Sequence, residues 1–467
     1  MFTNYALFDI RIRGSGPERY DVDVQSALGG DARGEFVSPA GDPSFQQQIK
    51  RLQALDTDEE LLIEIGQRLF QALFVGGIKE VYTRSQGRLK PDQGLRLRFT
   101  IDPAQTELAS LPWEFLYDPD QGPMVLLDAP IVRYLAQQSA PPVLESPLPL
   151  KVLLTGAVTP PEADVEREIE EVRAALQELE QSGHVKIHVE EHLTRTKLQR
   201  LLREGFQIWH FAGHGGLSRD KRSSALVLED NSGDADSLSA IELGILLNRS
   251  GLQLILLDAC NSAELTTAPY RSIAPALIRA QVGAVVAMQF KVPTEATRPF
   301  AVEFYRALAE GFPIDACVTE GRKAVMAATG LYNPDWGIPV VYTRAPDGRL
   351  FAPPAAPAKP NAPAEQGGGI NFTLGSGNIL SDSNVKFHNV ANNIVSDNTF
   401  GSGGQDVEDE RIERLRELIR ANRRRLNQRQ LQAAKYGIGA DPAITIEIED
   451  LTREIAKLER ELQKLGG

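Results

Sequence analysis

Residues 208–216 read IWHFAGHGG, and residues 254–262 read LILLDACNS. In each stretch a short apolar run precedes one reactive residue, His214 in the first and Cys260 in the second. Continuous apolar runs of this length predict strands that are buried on both faces, as in a parallel sheet covered by helices. We therefore predict strands over residues 206–212 and 252–257, each ending just before its reactive residue.

The chain around these two runs alternates apolar strand patterns with helical patterns. Further strands are predicted over 151–158, 185–191, 283–289 and 338–343, and helices over 164–180, 194–203, 239–248, 274–281, 295–311 and 314–329. This alternation predicts an α/β core over 151–350, with a mostly parallel sheet between two layers of helices. In such a sheet ligands collect outside the carboxyl ends of the strands.

Residues 1–150 are predicted to form a β-rich region that leads into this core. They hold short β-like runs and one helical pattern over 59–73, where Leu62, Ile65, Leu69 and Leu73 recur at helical spacing. The aromatic residues of LPWEFLYDP, at 111–119, are predicted to fill a core.

Three segments follow the core. Residues 351–366 are rich in Pro and Ala and predict a semi-rigid linker, while the Gly/Asn-rich residues 367–404 predict short strands broken by turns. Residues 405–467 predict a helical hairpin, because apolar residues recur at heptad spacing from Ile444 to Leu465. A seam of this kind needs a partner surface, so we expect 405–467 to self-associate or to bind a partner protein.

Composition narrows the class of protein. A net charge of -13 over 467 residues argues against nucleic acid as the main partner. No apolar run is long enough to span a bilayer and no signal peptide is evident, so no membrane partner is expected. With only two cysteines, a reducing cytoplasm is the expected location.

No cofactor or metal is expected either. The chain has no phosphate-binding loop of the G-x-x-x-x-G-K-[ST] type. His184, His188 and His192 recur every four residues, but in a strand that spacing holds neighbouring imidazoles about 13 Å apart. His210 and Cys317 are predicted to pack in the core.

The two reactive residues suit nucleophilic catalysis. A histidine beside a thiol favours the thiolate, the form that attacks a carbonyl carbon. Glycines flank His214, so the backbone N–H of Gly215 and that of Cys260 are predicted to donate to an oxyanion.

These motifs resemble the CHAT peptidases, caspase-like cysteine proteases. HFAGHG and DACNS occur in the family's order with 46 residues from His214 to Cys260, and LPWEFLYD with IVRYL resembles the segment before the catalytic part. The resemblance covers about residues 60–345; the closing tryptophan motif is reduced to NPDWGIPVVY around Trp336. It implies a caspase-like αβα sandwich, with His214 as general base and Cys260 as nucleophile.

Two interpretations stay open for Asp258. A carboxylate at the end of an apolar strand is costly to bury unpaired, so backbone N–H groups or an arginine are one expected partner. The other is a Lys or Arg side chain at the cleavage position of a substrate, since the related metacaspases have an aspartate at the equivalent place and prefer basic residues. The polar loop at 218–224 is either a lid or a solvated connection.

The favoured hypothesis is a cytoplasmic, caspase-like cysteine endopeptidase of a signalling or defence system. It is expected to cleave a protein substrate after a basic residue, with its activity controlled through 367–467. The alternative is a catalytically inactive, caspase-like signalling adaptor that recruits partners through that C-terminal module.

Overall fold

The computed structural model describes residues 4–16, 18–101, 105–127, 129–137, 139–144, 148–157, 163–219, 223–261, 270–352 and the single residues 453, 457 and 460. Its strands are β1 Asn4–Gly16, β2 Arg19–Ser26, β3 Gly30–Val37, β4 Gln93–Ile101, β5 Tyr117–Asp118, β6 Gly122–Pro123, β7 Ile131–Tyr134, β8 Leu150–Gly156, β9 Val185–Glu190, β10 Ile208–Leu217, β11 Ser224–Glu229, β12 Ala235–Ser239, β13 Leu254–Asn261, β14 Ala284–Met288 and β15 Pro339–Thr343.

The α-helices are α1 Pro43–Gln53, α2 Glu59–Leu73, α3 Gly76–Gln86, α4 Thr106–Ser110, α5 Ala163–Gln181, α6 Arg195–Leu201, α7 Ala240–Leu247, α8 Tyr270–Arg279, α9 Thr294–Ala309 and α10 Ile314–Thr329. Short 3-10 turns lie at Trp113–Phe115 and Pro334–Gly337, among other places.

One mixed sheet runs through the N-terminal region and the core. Strands β9, β8, β10, β13 and β14 are parallel neighbours in that order. Strand β15 then pairs antiparallel with β14, and β7, β4 and β1 follow parallel to β15. We call β8 to β15 the core half of the sheet, and β1 to β4 with β7 the N-terminal half. Strands β15, β7, β4 and β1 run opposite to the five parallel strands.

Helices cover both faces of the core half. Along β10, Ile208 packs into an apolar cluster with α5, α9 and α10, while its neighbour Trp209 packs into a second cluster with α6, α7 and α8. Alternate residues of a strand point to opposite faces, so one apolar run supplies both clusters. The predicted α/β architecture, an αβα sandwich, is confirmed.

The aromatic residues of 111–119, which we call the aromatic plug, join the two halves of the sheet. Trp113 packs against Phe36 and Phe99 of the N-terminal half, with ring centroids 5.3 and 4.9 Å away. Phe115 packs against Trp336, 5.2 Å away, just before β15. Gly337 is required here, because a Cβ atom would lie 2.2 Å from the Phe115 ring.

Some elements differ from the prediction. Helices α2 and α10 match both predicted ends, but β10 runs to Leu217 and β13 to Asn261, so the predicted strand ends at 212 and 257 are wrong. The extra length of β10 pairs with β11, which forms an antiparallel hairpin with it and then pairs with β12. Strands β2 and β3 and helices α1 and α3 were not predicted.

No single helix in the described ranges is long and apolar enough to cross a membrane. Only α2 and α3 taken together, bent by 108° at their junction, have the length and composition for it.

Residues 1–364 form one compact unit and 365–467 another. In the second, Arg453, Lys457 and Arg460 are helical and exposed. The predictions for the linker at 351–366 beyond residue 352, for 367–404 and for the rest of 405–467 lie outside the described residues.

Candidate active site

Strands β10 and β13 are adjacent and parallel, and their register places His214 opposite Cys260. On the same two strands Ala212 lies opposite Asp258, and His210 opposite Leu256. Neighbouring strands are about 4.8 Å apart, so the backbones at 214 and 260 are close neighbours. The two residues singled out in the sequence thus meet inside the sheet rather than beyond its strand ends.

His214 is half-buried in the part of β10 that the hairpin extends. There it faces Val227 of β11 on one side and the backbone of Cys260 on the other. Its Nε2 atom is buried and has no hydrogen-bond partner among the described residues. A buried polar atom without a partner is uncommon in native proteins and points to a role beyond packing.

Asp258 is buried at the second predicted position. It is 3% exposed, its Oδ1 has no hydrogen-bond partner, and no described backbone N–H or arginine pairs with it. Burial alone raises the pKa of this carboxyl to about 7. The interpretation that backbone groups or an arginine satisfy Asp258 finds no support in the described part of the chain.

Asp258 lines a small cavity of about 20 Å³. Apolar side chains form most of its wall, among them Met288, Val292 and Phe300, and Thr297 of α9 and Asp335 add polar groups. A cavity of this size holds about one water molecule.

His210 lies beneath this site on β10. Its Nδ1 is 3.0 Å from the Tyr305 hydroxyl of α9, and the two rings stack at 6.0 Å. Burial lowers the pKa of His210 to about 3, so its imidazole is neutral. The prediction that His210 packs in the sheet is confirmed, and its neutral state suits a structural role.

Other predicted residues lie as follows. Gly215 is buried within β10, in register with Leu226 on one side and Asn261 on the other, and its oxyanion role stays a prediction. Cys317 is buried in α10, where its Sγ lies 3.5 Å from the carbonyl oxygen of Phe312, as predicted for a core residue.

The three spaced histidines go to separate partners. His184 bonds the Ser182 hydroxyl, His188 packs on Phe206, and His192 lies 3.1 Å from Glu229. In the described ranges no group of three or more His, Cys, Asp or Glu side chains could hold a metal ion.

The loop after β10 is closed by hydrogen bonds. The Ser218 N–H donates to the carbonyl oxygen of Ser223, and the Ser223 N–H donates to the Ser218 hydroxyl. Arg219 also pairs with Asp236 of β12 at 2.8 Å. Residues 220–222 lie outside the described residues, so the alternatives of a lid and a solvated connection both stay predictions.

Thr297, Tyr305 and Glu114 were not identified in the sequence. Glu114 is fully buried between the two aromatic residues of the plug, where an acid in an otherwise apolar motif was a readable signal. Thr297 and Tyr305 carry no comparable signal, because each is one polar residue in an ordinary amphipathic helix.

Comparison with known proteins gives a family and distant structural neighbours. The CHAT domain family model matches residues 64–342. The separase of the Saccharomyces cerevisiae separase–securin complex is 9% identical, with a TM-score of 0.42, over 72% of this chain and 30% of that chain. The Drosophila initiator caspase Dronc is 8% identical, with a TM-score of 0.27, over 48% of this chain and 96% of that chain. No curated protein matches the chain.

Proposed function

The chain belongs to the CHAT domain family, and from that premise we propose that it is a caspase-like cysteine endopeptidase. His214 is the general base and Cys260 the nucleophile. The observation that carries the proposal is the register of β10 and β13, which sets these two residues opposite each other on adjacent strands.

The chemistry follows from that placement. The imidazole of His214 takes the proton of the Cys260 thiol, and the thiolate attacks the carbonyl carbon of the scissile peptide bond. The backbone N–H groups of Gly215 and Cys260 are the proposed donors to the oxyanion. His214 then protonates the leaving amine, and water hydrolyses the thioester to release the acid and restore the thiol.

Asp258 is the proposed substrate-binding residue. It lies two residues before the nucleophile, and its Oδ1 has no hydrogen-bond partner among the described residues. A Lys or Arg side chain of the substrate would supply the missing positive charge, and a charge-assisted hydrogen bond would then offset the burial. We propose cleavage after a basic residue for this reason.

The experiment compares new protein N-termini in cells that produce the wild-type chain and in cells that produce the Cys260→Ala variant. We expect cleavage sites that follow Lys or Arg and depend on both Cys260 and His214, while Cys317→Ala, a change at a buried core thiol, leaves them intact. Cleavage that persists in Cys260→Ala would overturn the proposal. No cleavage site specific to the wild-type chain would favour the second candidate, the inactive adaptor.

We also propose that 405–467 controls the peptidase by self-association or by binding a partner protein in the cytoplasm. The heptad repeat supports this, since each exposed apolar heptad residue forgoes roughly 1.5–3 kcal/mol of burial. Bringing catalytic domains together raises their effective concentration. Light scattering and pull-down with the full chain should show association that Leu451→Asp with Leu458→Asp abolishes; a wild-type chain that stays monomeric and partner-free would contradict it.

A further inference from the structure

Thr297, a second residue that lines the cavity beside Asp258, also has a buried polar atom without a partner among the described residues. Thr297 is 3% exposed, and its Oγ1 has no hydrogen-bond partner among the described residues. A threonine near the start of a helix usually satisfies its hydroxyl on a backbone carbonyl of the preceding turn. Here no described carbonyl accepts from the hydroxyl, and Thr297 of α9 lines the same cavity as Asp258 of β13.

Two residues from different elements thus line one small apolar cavity, and each has a buried polar atom with no hydrogen-bond partner among the described residues. Burying either atom without a hydrogen bond costs stability, and the fold carries both. Asp335, in the turn Pro334–Gly337 before β15, also lines the cavity. Arg322 of α10 holds this turn in place by donating to the carbonyl oxygens of Trp336 and Pro339.

From this arrangement we propose that Thr297 is a specificity-determining residue and that the cavity selects lysine over arginine at the cleavage position. The inference rests on the proposed peptidase function and deepens it. The lysine ammonium donates to the Asp258 carboxylate and to Thr297 Oγ1, and its methylene stem packs on the apolar wall.

The chemistry of the two cations favours lysine. An ammonium is a compact group with three donors, which suits a carboxylate and one hydroxyl. A guanidinium is planar, wider and has five donors in a fixed fork, so several would stay unpaired here. The cavity of about 20 Å³ must widen for either side chain, and the slimmer lysine needs less room. Met288 in its wall is unbranched and able to shift.

The test uses the full chain and three fluorogenic peptides that differ only at the cleavage position, which holds lysine, arginine or norleucine. We expect the wild-type kcat/KM for lysine to exceed that for arginine by about tenfold, as one charge-assisted hydrogen bond supplies. Thr297→Val, of the same shape without the hydroxyl, should lower the ratio of the lysine rate to the norleucine rate by a similar factor. Thr297→Ser, which keeps the hydroxyl, should retain the lysine preference.

A thermal melt provides a readout that does not depend on activity. If the hydroxyl is buried without a partner, Thr297→Val should melt at the wild-type temperature or above it. A lower melting temperature, or failure to fold, would overturn the premise and the inference with it.

Failure of the lysine selectivity can be distinguished from failure of the proposed peptidase function. A wild-type chain that cleaves after arginine as fast as after lysine, or a Thr297→Val variant with undiminished lysine preference, overturns the inference and leaves the peptidase intact. A wild-type chain that cleaves none of the peptides and is not alkylated at Cys260 by a lysine chloromethyl ketone overturns both.

Discussion

The two halves of the sheet treat buried charge in opposite ways. In the N-terminal half, Arg133 donates to both oxygens of Glu114 at 2.8 and 3.1 Å, and Arg96 holds Asp315 at 2.6 and 2.9 Å. In the core half, Asp258 is as deeply buried, and its Oδ1 has no hydrogen-bond partner among the described residues.

The difference separates structural charges from functional ones. Burial opposes the charged form of Arg133, yet the attraction of Glu114 raises the pKa of this guanidinium above its ordinary value. Such a pair is complete within the chain and joins the aromatic plug to β7. In our proposal a substrate supplies the partner of the Asp258 carboxylate, as expected of a binding site that carries a cost in stability.

The largest loss of stability is expected when a buried ion pair is broken. Glu114→Ala leaves the guanidinium of Arg133 buried without its carboxylate, and we expect unfolding free energy to fall by about 3–5 kcal/mol. Urea denaturation measures it, with Glu303→Ala as the control, because Glu303 forms an exposed pair with Arg306. A loss no greater than that of the control would remove the distinction between the two halves.

The second prediction is a gain in stability: Asp258→Asn should make the chain more stable than wild type as the pH rises. The folded chain binds the Asp258 proton more tightly than the unfolded chain, since the pKa is about 7 against an ordinary 3.8. Stability from this group is therefore greatest near pH 4 and falls as the pH rises toward 7, by up to about 4 kcal/mol at 1.4 kcal/mol per unit. Asp258→Asn should remove this fall.

Urea denaturation of both chains from pH 4.5 to 8 tests this prediction. The stability of Asp258→Asn relative to wild type should grow across that range, because other titrating groups cancel in the difference. A difference independent of pH would show that the carboxylate finds a partner in solution.

The smallest loss of stability is expected for a substitution in the core half, at Tyr305. Tyr305→Phe removes the hydrogen bond to His210 Nδ1 and leaves that atom buried alone, which costs about 1–2 kcal/mol. Tyr332→Phe, at a residue 45% exposed, is the control and should change stability by less than about 0.5 kcal/mol. Equal losses in both variants would mean that the His210 contact does not stabilise the site.

Sequence reasoning reached the strands and helices of the core because their periodicity is local. It missed the end of β10, because the glycines at 213, 215 and 216 indicate a loop unless the pairing strand β11 is known. Strand β2 was readable, since Tyr20, Val22, Val24 and Ser26 alternate with polar residues and are buried. Thr297 could not be identified from the sequence, because its proposed role depends on a cavity formed by distant segments.

The central claim is that Cys260 is a nucleophile activated by His214, and the most direct measurement is site-resolved labelling of the full chain with a thiol-reactive peptide electrophile. Mass spectrometry compares labelling at Cys260 with that at Cys317, whose thiol is buried and has a pKa raised well above its ordinary value by burial. We predict rapid labelling of Cys260, its loss in His214→Ala, and little labelling of Cys317 in either chain. Slow labelling of Cys260 that is unchanged by His214→Ala would contradict the account.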